Sequence, residues 1–104
     1  MCGCKVTEID FEWDLQKAVT NLRKHHISFE VARLTFANPN AVIEQDRIVE
    51  GEQRWLTIGV IPGRTTMLAV AHLWNEGDER STIRIISARR ADPTERRIYE
   101  EQNG

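Results

Sequence analysis

Ile83-Arg84-Ile85-Ile86-Ser87-Ala88-Arg89-Arg90-Ala91 decides the fold. Its isoleucines favour a strand, because a β-branched side chain packs well on a pleated surface. Arginines are threaded through the same run, and six of the 11 arginines in the chain fall between Arg80 and Arg97. A guanidinium is costly to bury without a partner. The run therefore predicts a half-buried antiparallel strand whose arginines lie on a wet face or meet an anion. A sheet face with fixed guanidinium forks suits phosphate. Arg84 and Arg89 are an odd number of residues apart, so a regular strand sends them to opposite faces. Only a bulge or a strand end brings them to one site.

Upstream of this strand, Asn75-Glu76-Gly77-Asp78 forms a predicted turn. Ala41 to Ile48, Gln53 to Ile61 and Thr66 to Trp74 are three further strand-like runs, punctuated by Gly51 and by Pro62-Gly63. Strands in succession with short turns imply an antiparallel meander. Ahead of the meander, Ile9 to Trp13 is a predicted short strand and Asp14 a helix N-cap. Leu15, Ala18, Val19 and Leu22 then recur at helical spacing as one apolar stripe, expected to face the core. Lys17, Asn21, Arg23 and Lys24 fall off that stripe, and Lys24, His25 and His26 close the helix. Ser28 caps a shorter helix with Phe29, Ala32 and Phe36 toward the core, stopped by Asn38-Pro39. Downstream, Asp92-Pro93-Thr94-Glu95 combines an N-cap, a proline at the first helical position and a glutamate at the third. The final helix has few apolar residues beyond Ile98 and Tyr99. It is expected to dock shallowly or to lean on another chain. The expected fold is α+β: an antiparallel sheet packed with two N-terminal helices and one C-terminal helix, in the order β-α-α-β-β-β-β-α.

Composition narrows the class. The chain has 104 residues, 40% of them hydrophobic and 29% charged, which fits one soluble domain. We expect residues 1–8 to form a disordered tail and residues 9–104 to form that domain. No apolar run reaches the roughly 18 residues of a membrane span. The N-terminus lacks a signal-peptide core, so a cytoplasmic location without membrane contact is expected. Cys2 and Cys4 form the sole cysteine pair, too few for a structural zinc site without histidines, and no metal or cofactor is expected. Net charge is −2, which argues against unspecific nucleic-acid binding. The charge is uneven, at −3 for residues 1–52 and +1 for residues 53–104, which leaves room for a local basic face.

Several spaced motifs together resemble the BrnT family of toxins. They are Phe11-Glu12-Trp13-Asp14 with Lys17, Asn21, Lys24-His25 and Phe29; Glu52-x-Arg54-Trp55 with Ile58-Gly59; Ile83 to Arg89; and Arg97-x-Tyr99-Glu100. They occur in the family's order over about residues 9–101. The resemblance implies a RelE-like fold and a type II toxin that cleaves RNA without a metal and so inhibits translation. It also implies a BrnA-like ribbon-helix-helix antitoxin as partner, with operator DNA contacted only through that antitoxin. His26 stands where the family commonly has glycine, a position that suits a left-handed cap.

Metal-free RNA cleavage needs a base for the ribose 2′-hydroxyl, an acid for the leaving oxygen and cations for the crowded phosphate. Arg54, Arg84 and Arg89 are candidates to hold phosphate. Glu52 or His72 is the candidate base, and Lys24 or His25 the acid or a further cation. Lys17 and Trp55 are candidate RNA contacts, Trp55 or Trp74 by stacking a base. Structural readings stand beside each. Glu52 and Arg54 share a strand face and can pair with each other. His72 can be a packed neutral histidine. Lys24 and His25 can be helix-terminal charges, and the tryptophans can be core. A second reading of the whole chain is a non-catalytic module of the same fold that binds an antitoxin or repressor complex without cutting RNA.

Overall fold

The computed structural model describes residues 8–77 and 79–103. Residues 1–7, with Cys2 and Cys4, lie outside the described residues. Glu8, assigned to the tail from sequence, instead opens the first strand, β1 (Glu8–Trp13). The chain continues through α1 (Leu15–His25), α2 (Phe29–Ala32), a 3-10 turn over Arg33–Ala37, β2 (Val42–Val49), β3 (Glu52–Val60), β4 (Met67–Glu76), β5 (Arg80–Arg90) and α3 (Pro93–Asn103).

The fold is α+β, with one correction. The four later strands form the expected antiparallel meander, but β1 does not join it antiparallel. It pairs parallel to β5, with Phe11 opposite Ile83 and Glu12 opposite Arg84. The sheet is therefore mixed, in the order β1-β5-β4-β3-β2. A parallel neighbour needs a crossover, here the whole chain between residues 14 and 79. That long-range pairing is invisible to local turn signals.

Strand alternation gives the sheet two unlike faces. One carries Leu68, Val70, Ile83, Ile85 and Ala88, sealed by Ile27, Phe29 and Ala32 from the helical layer. Phe29 and Leu68 are fully buried, each contributing about 2 kcal/mol relative to exposure. The opposite face is covered at one end only, where Ile98 and Tyr99 of α3 pack against Ile58, Met67 and Ala91. Beyond α3 no other element among the described residues covers that face.

The caps are where the sequence puts them. Asp14 accepts from the Gln16 and Lys17 amides, and Ser28 accepts from the Val31 amide. Glu50 (φ 51°) and Gly51 (φ 84°) make the two-residue link between β2 and β3, with the positive φ at both positions that a type I′ turn requires. Gly77 donates its amide to the Arg80 carbonyl, so close that an added Cβ would lie 2.6 Å from that oxygen.

His26 is the left-handed C-cap of α1, at φ 61° and ψ 30°, with its amide donating to Leu22. A side chain with a Cβ is strained there, and glycine is not. His26→Gly should therefore stabilise the fold by about 0.5–1 kcal/mol. A rise of several degrees in Tm checks it. An unchanged or lower Tm would mean that the imidazole makes up for the strain.

Candidate active site on the open sheet face

Alternation fixes which side chains reach the open face, and a bulge in β5 changes the answer expected from sequence. His72 pairs with Ile85, but Ala71 pairs with Ser87, so Ile86 is an extra residue. The insertion resets the alternation. Arg84 lies opposite Leu73 and Arg89 opposite Ala69, and Leu73 and Ala69 share a face because they are four apart. Arg84 and Arg89 therefore share it too, despite their odd spacing. Arg80 lies on it as well, an even four residues before Arg84.

Two of these arginines meet carboxylates on β1. Arg84 donates to Glu12 at 2.9 Å and Arg80 to Asp10 at 2.7 Å. Both pairs are about half exposed, so neither contributes more than about 1 kcal/mol to stability. Their effect is orientation: Glu12 aims the Arg84 guanidinium across the open face. The sequence puts Glu12 in a motif but gives neither it nor Asp10 a role. The Asp-x-Glu alternation was a signal, but it gains meaning only once β1 is placed beside β5.

Arg84 and Glu12 line a cavity of about 510 Å³ together with Glu52, Leu73, Asn75 and Thr82. Glu52 comes from the start of β3. Arg54 shares its face by alternation and follows it toward Leu73, one step from the Trp55–His72 pair. The fold thus brings Glu52, Arg54 and Arg84 onto one surface.

A second group gathers where β1 ends. Past Trp13 the edge of β5 has no strand neighbour among the described residues, and α1 takes that place. Asn21 accepts from the Ala88 amide at 3.0 Å, donates to the Ala88 carbonyl at 2.9 Å and donates to the Ile27 carbonyl at 2.9 Å. One buried amide side chain thus stands in for a ladder partner. It holds α1 so that Lys17, Thr20, Lys24 and His25 line a groove of about 360 Å³ above Ile86 and Ser87. Ser87 pairs with Ala71, two residues along β4 from Leu73, so this groove adjoins Arg84 on the same face.

The other candidates are placed elsewhere or already engaged. His72 is fully buried on the helix-covered face. Its Nδ1 lies 3.2 Å from the Leu73 carbonyl, which can only accept, so Nδ1 carries the proton. Nε2 then accepts from the Thr57 hydroxyl at 2.8 Å, and Phe36 meets the ring edge-on. Burial pushes its pKa down to about 4, opposed weakly by the Leu73 bond. His72 is thus a neutral packed histidine, apart from the arginines. An unfolded histidine takes up a proton near pH 6.5 but this one only near 4, so stability is full above about 6.5 and declines as pH falls toward 4. The loss should be on the order of 3 kcal/mol. Urea unfolding across that range, compared with His72→Asn, should show the slope in wild type and its absence in the variant.

Trp55 also faces the covered side and packs edge-on against Trp74 at 5.9 Å. Arg89 reaches the open face, but both its terminal nitrogens bond Glu95, each at 2.7 Å. That hydrogen bonding raises its already high pKa further. Glu95 is nearly buried and forms a reciprocal capping box with Asp92. Arg89 therefore anchors the start of α3.

Among the described residues no three His, Cys, Asp or Glu side chains are grouped as a metal would need, and no helix is long and apolar enough to cross a membrane. No curated protein matches the chain. A family model described as "Ribonuclease toxin, BrnT, of type II toxin-antitoxin system" matches residues 13–95. That span runs from the end of β1 to Glu95, about four-fifths of the chain, and takes in α1, the β5 bulge and the capping box. The chain therefore belongs to the BrnT family of ribonuclease toxins of type II toxin–antitoxin systems.

Proposed function

We propose that this chain is a metal-independent endoribonuclease that cuts cellular RNA on the open sheet face, inhibits translation, and is neutralised by a BrnA-like ribbon-helix-helix antitoxin. The family gives the ribonuclease class, an RNA target and an antitoxin partner. The single observation that carries the site is the Ile86 bulge, which turns Ser87, in the lining of the Lys17–Lys24–His25 groove, onto the face that holds Arg84 and the Glu52 cavity. A helical layer on one face of the sheet, with α3 over only one end of the other, also supports a RelE-like assignment.

In this reading the RNA backbone crosses β5. Arg84 and Arg54 hold the scissile phosphate as guanidinium forks. Glu52 takes the proton of the ribose 2′-hydroxyl as its oxygen attacks phosphorus. The bond from phosphorus to the 5′-oxygen breaks, and that oxygen takes a proton from His25 or Lys24. The products are a 2′,3′-cyclic phosphate and a free 5′-hydroxyl. Lys17 adds charge along the track. No metal enters any step, because cations and acid–base groups are all supplied by side chains.

Cleavage of cellular RNA by the purified chain should persist in excess chelator and leave 2′,3′-cyclic ends. Activity lost in chelator and restored by magnesium, manganese or zinc would overturn the metal-free mechanism. No cleavage by a well-folded chain, with antitoxin binding intact, would favour the non-catalytic module.

A further inference from the structure

Of the apolar stripe that the sequence assigns to the core, only Ala18 packs there. Leu15, Val19 and Leu22 are 76%, 52% and 50% exposed, and α1 instead turns Asn21 and Ala18 inward. Single exposed apolar residues are ordinary. Three at spacings of four and three form a continuous line about two turns, or roughly 10 Å, long. At Leu22 the line runs into a second groove, of about 280 Å³, beneath the end of α1. Its lining includes Val31, Ile61, Arg64 and Arg90 and no carboxylate. From Leu15 to His25, α1 has no acidic residue, and its charges are Lys17, Arg23 and Lys24. Among the described residues no carboxylate pairs with Arg23, Arg64 or Arg90.

We propose that this stripe and groove are the docking surface for an acidic amphipathic helix contributed by the antitoxin; this rests on the toxin reading above. Apolar residues of that helix at i, i+4 and i+7 cover Leu15, Val19 and Leu22, and its carboxylates meet Arg23, Arg64 and Arg90. A second copy of this chain fits poorly, because a two-fold interface here would set those cations against their own mates. RNA would meet the cations but leave the stripe wet. The terminal helix, the other element suspected of needing a partner, already spends Ile98 and Tyr99 on Ile58, Met67 and Ala91.

The test titrates a purified BrnA-like antitoxin from the same genome into the purified chain. Val19→Glu should weaken binding by roughly 30-fold or more, the scale of an interface anchor. Leu15→Ser, a milder change at a more exposed position, should weaken it less. The double variant Arg64→Glu/Arg90→Glu should weaken it at low salt and flatten its salt dependence. Tm should stay at its wild-type value in all three, and RNA cleavage in Val19→Glu and Leu15→Ser; His25 lines the same groove as Arg64 and Arg90, so the charge-reversed variant is read by binding alone. Wild-type affinity in Val19→Glu, or tighter binding after charge reversal, would overturn the proposal. So would self-association of the wild type that Val19→Glu abolishes while antitoxin affinity is unchanged, since a second copy would then be the occupant. Failure of the wild-type chain itself to bind the antitoxin would instead overturn the toxin-pair reading, and this one with it.

Discussion

Arg84→Ala should lower kcat/KM for RNA cleavage by roughly 10²-fold or more, the usual loss when one preorganised donor to a developing phosphate charge is removed. The expectation rests on three facts about one side chain. Arg84 lies on the open face, it is aimed by Glu12 at 2.9 Å, and it lines the cavity that holds Glu52. Its ion pair is half exposed, so the fold should lose no more than about 1 kcal/mol. The drop in rate then reports chemistry rather than unfolding. Arg84→Lys should recover little, because a point charge replaces a two-pronged donor. The control is Arg89→Ala, which leaves the nearly buried Glu95 carboxylate without its bidentate partner. That variant should lower Tm and loosen α3, with a smaller direct effect on cleavage. Equal activity in wild type and Arg84→Ala, with the fold intact, would remove Arg84 from the site. A larger loss in Arg89→Ala at unchanged Tm would move the phosphate toward α3.

What could be read from sequence divides by whether the cause is local. Caps were legible because an Asp or Ser side chain reaches an amide two or three residues on: Asp14, Ser28 and the Asp92–Glu95 box all bond as their spacing implies. The turn at Glu50-Gly51 and the β2–β5 meander follow from equally short-range signals. Failures begin where a distant segment decides. The parallel seat of β1 beside β5 depends on chain about 70 residues away, and with it the pairing of Glu12 with Arg84 stayed hidden. Parity correctly separates Arg84 from Arg89 in a regular strand, and one extra residue at Ile86 reverses the result. A bulge has no periodicity to betray it. The α1 stripe failed for a different reason. Spacing shows that Leu15, Val19 and Leu22 share a side of a helix, but not what that side meets. At the bare edge of β5 the backbone needs hydrogen bonds more than it needs apolar cover. The polar Asn21 therefore faces inward and the stripe faces out. His72, offered as a base or as core, is core, because its neighbours Thr57 and Phe36 come from two other elements.

Asn21 is where that failure becomes a measurable effect. Asn21→Leu keeps the volume but leaves the Ala88 amide and the Ala88 and Ile27 carbonyls without their side-chain partner in a buried setting. Each orphaned buried group costs about 1–3 kcal/mol, and part is recovered by local relaxation. A net loss of about 3 kcal/mol is expected, a large share of the roughly 5–15 kcal/mol that holds a domain of this size together. Asn21→Asp discriminates further. Its ionised carboxylate still accepts from the Ala88 amide but faces two carbonyls with no proton to give. Once protonated, it regains one donor. Burial raises the pKa of such a carboxyl, so the folded state holds its proton to higher pH than the unfolded chain does. The variant's deficit relative to wild type should therefore shrink as pH falls toward 4 and grow as pH rises to 7. Subtracting the wild-type curve removes the opposing slope from His72. Because Asn21 also fixes Lys17 and Lys24 above Ser87, cleavage per folded molecule should fall in both variants, unlike in His26→Gly, where the anchor is untouched. Denaturant unfolding at several pH values, with activity measured well below the midpoint, reads both effects. A stability loss under about 1 kcal/mol for Asn21→Leu would mean that α1 is held to β5 by something other than this one amide.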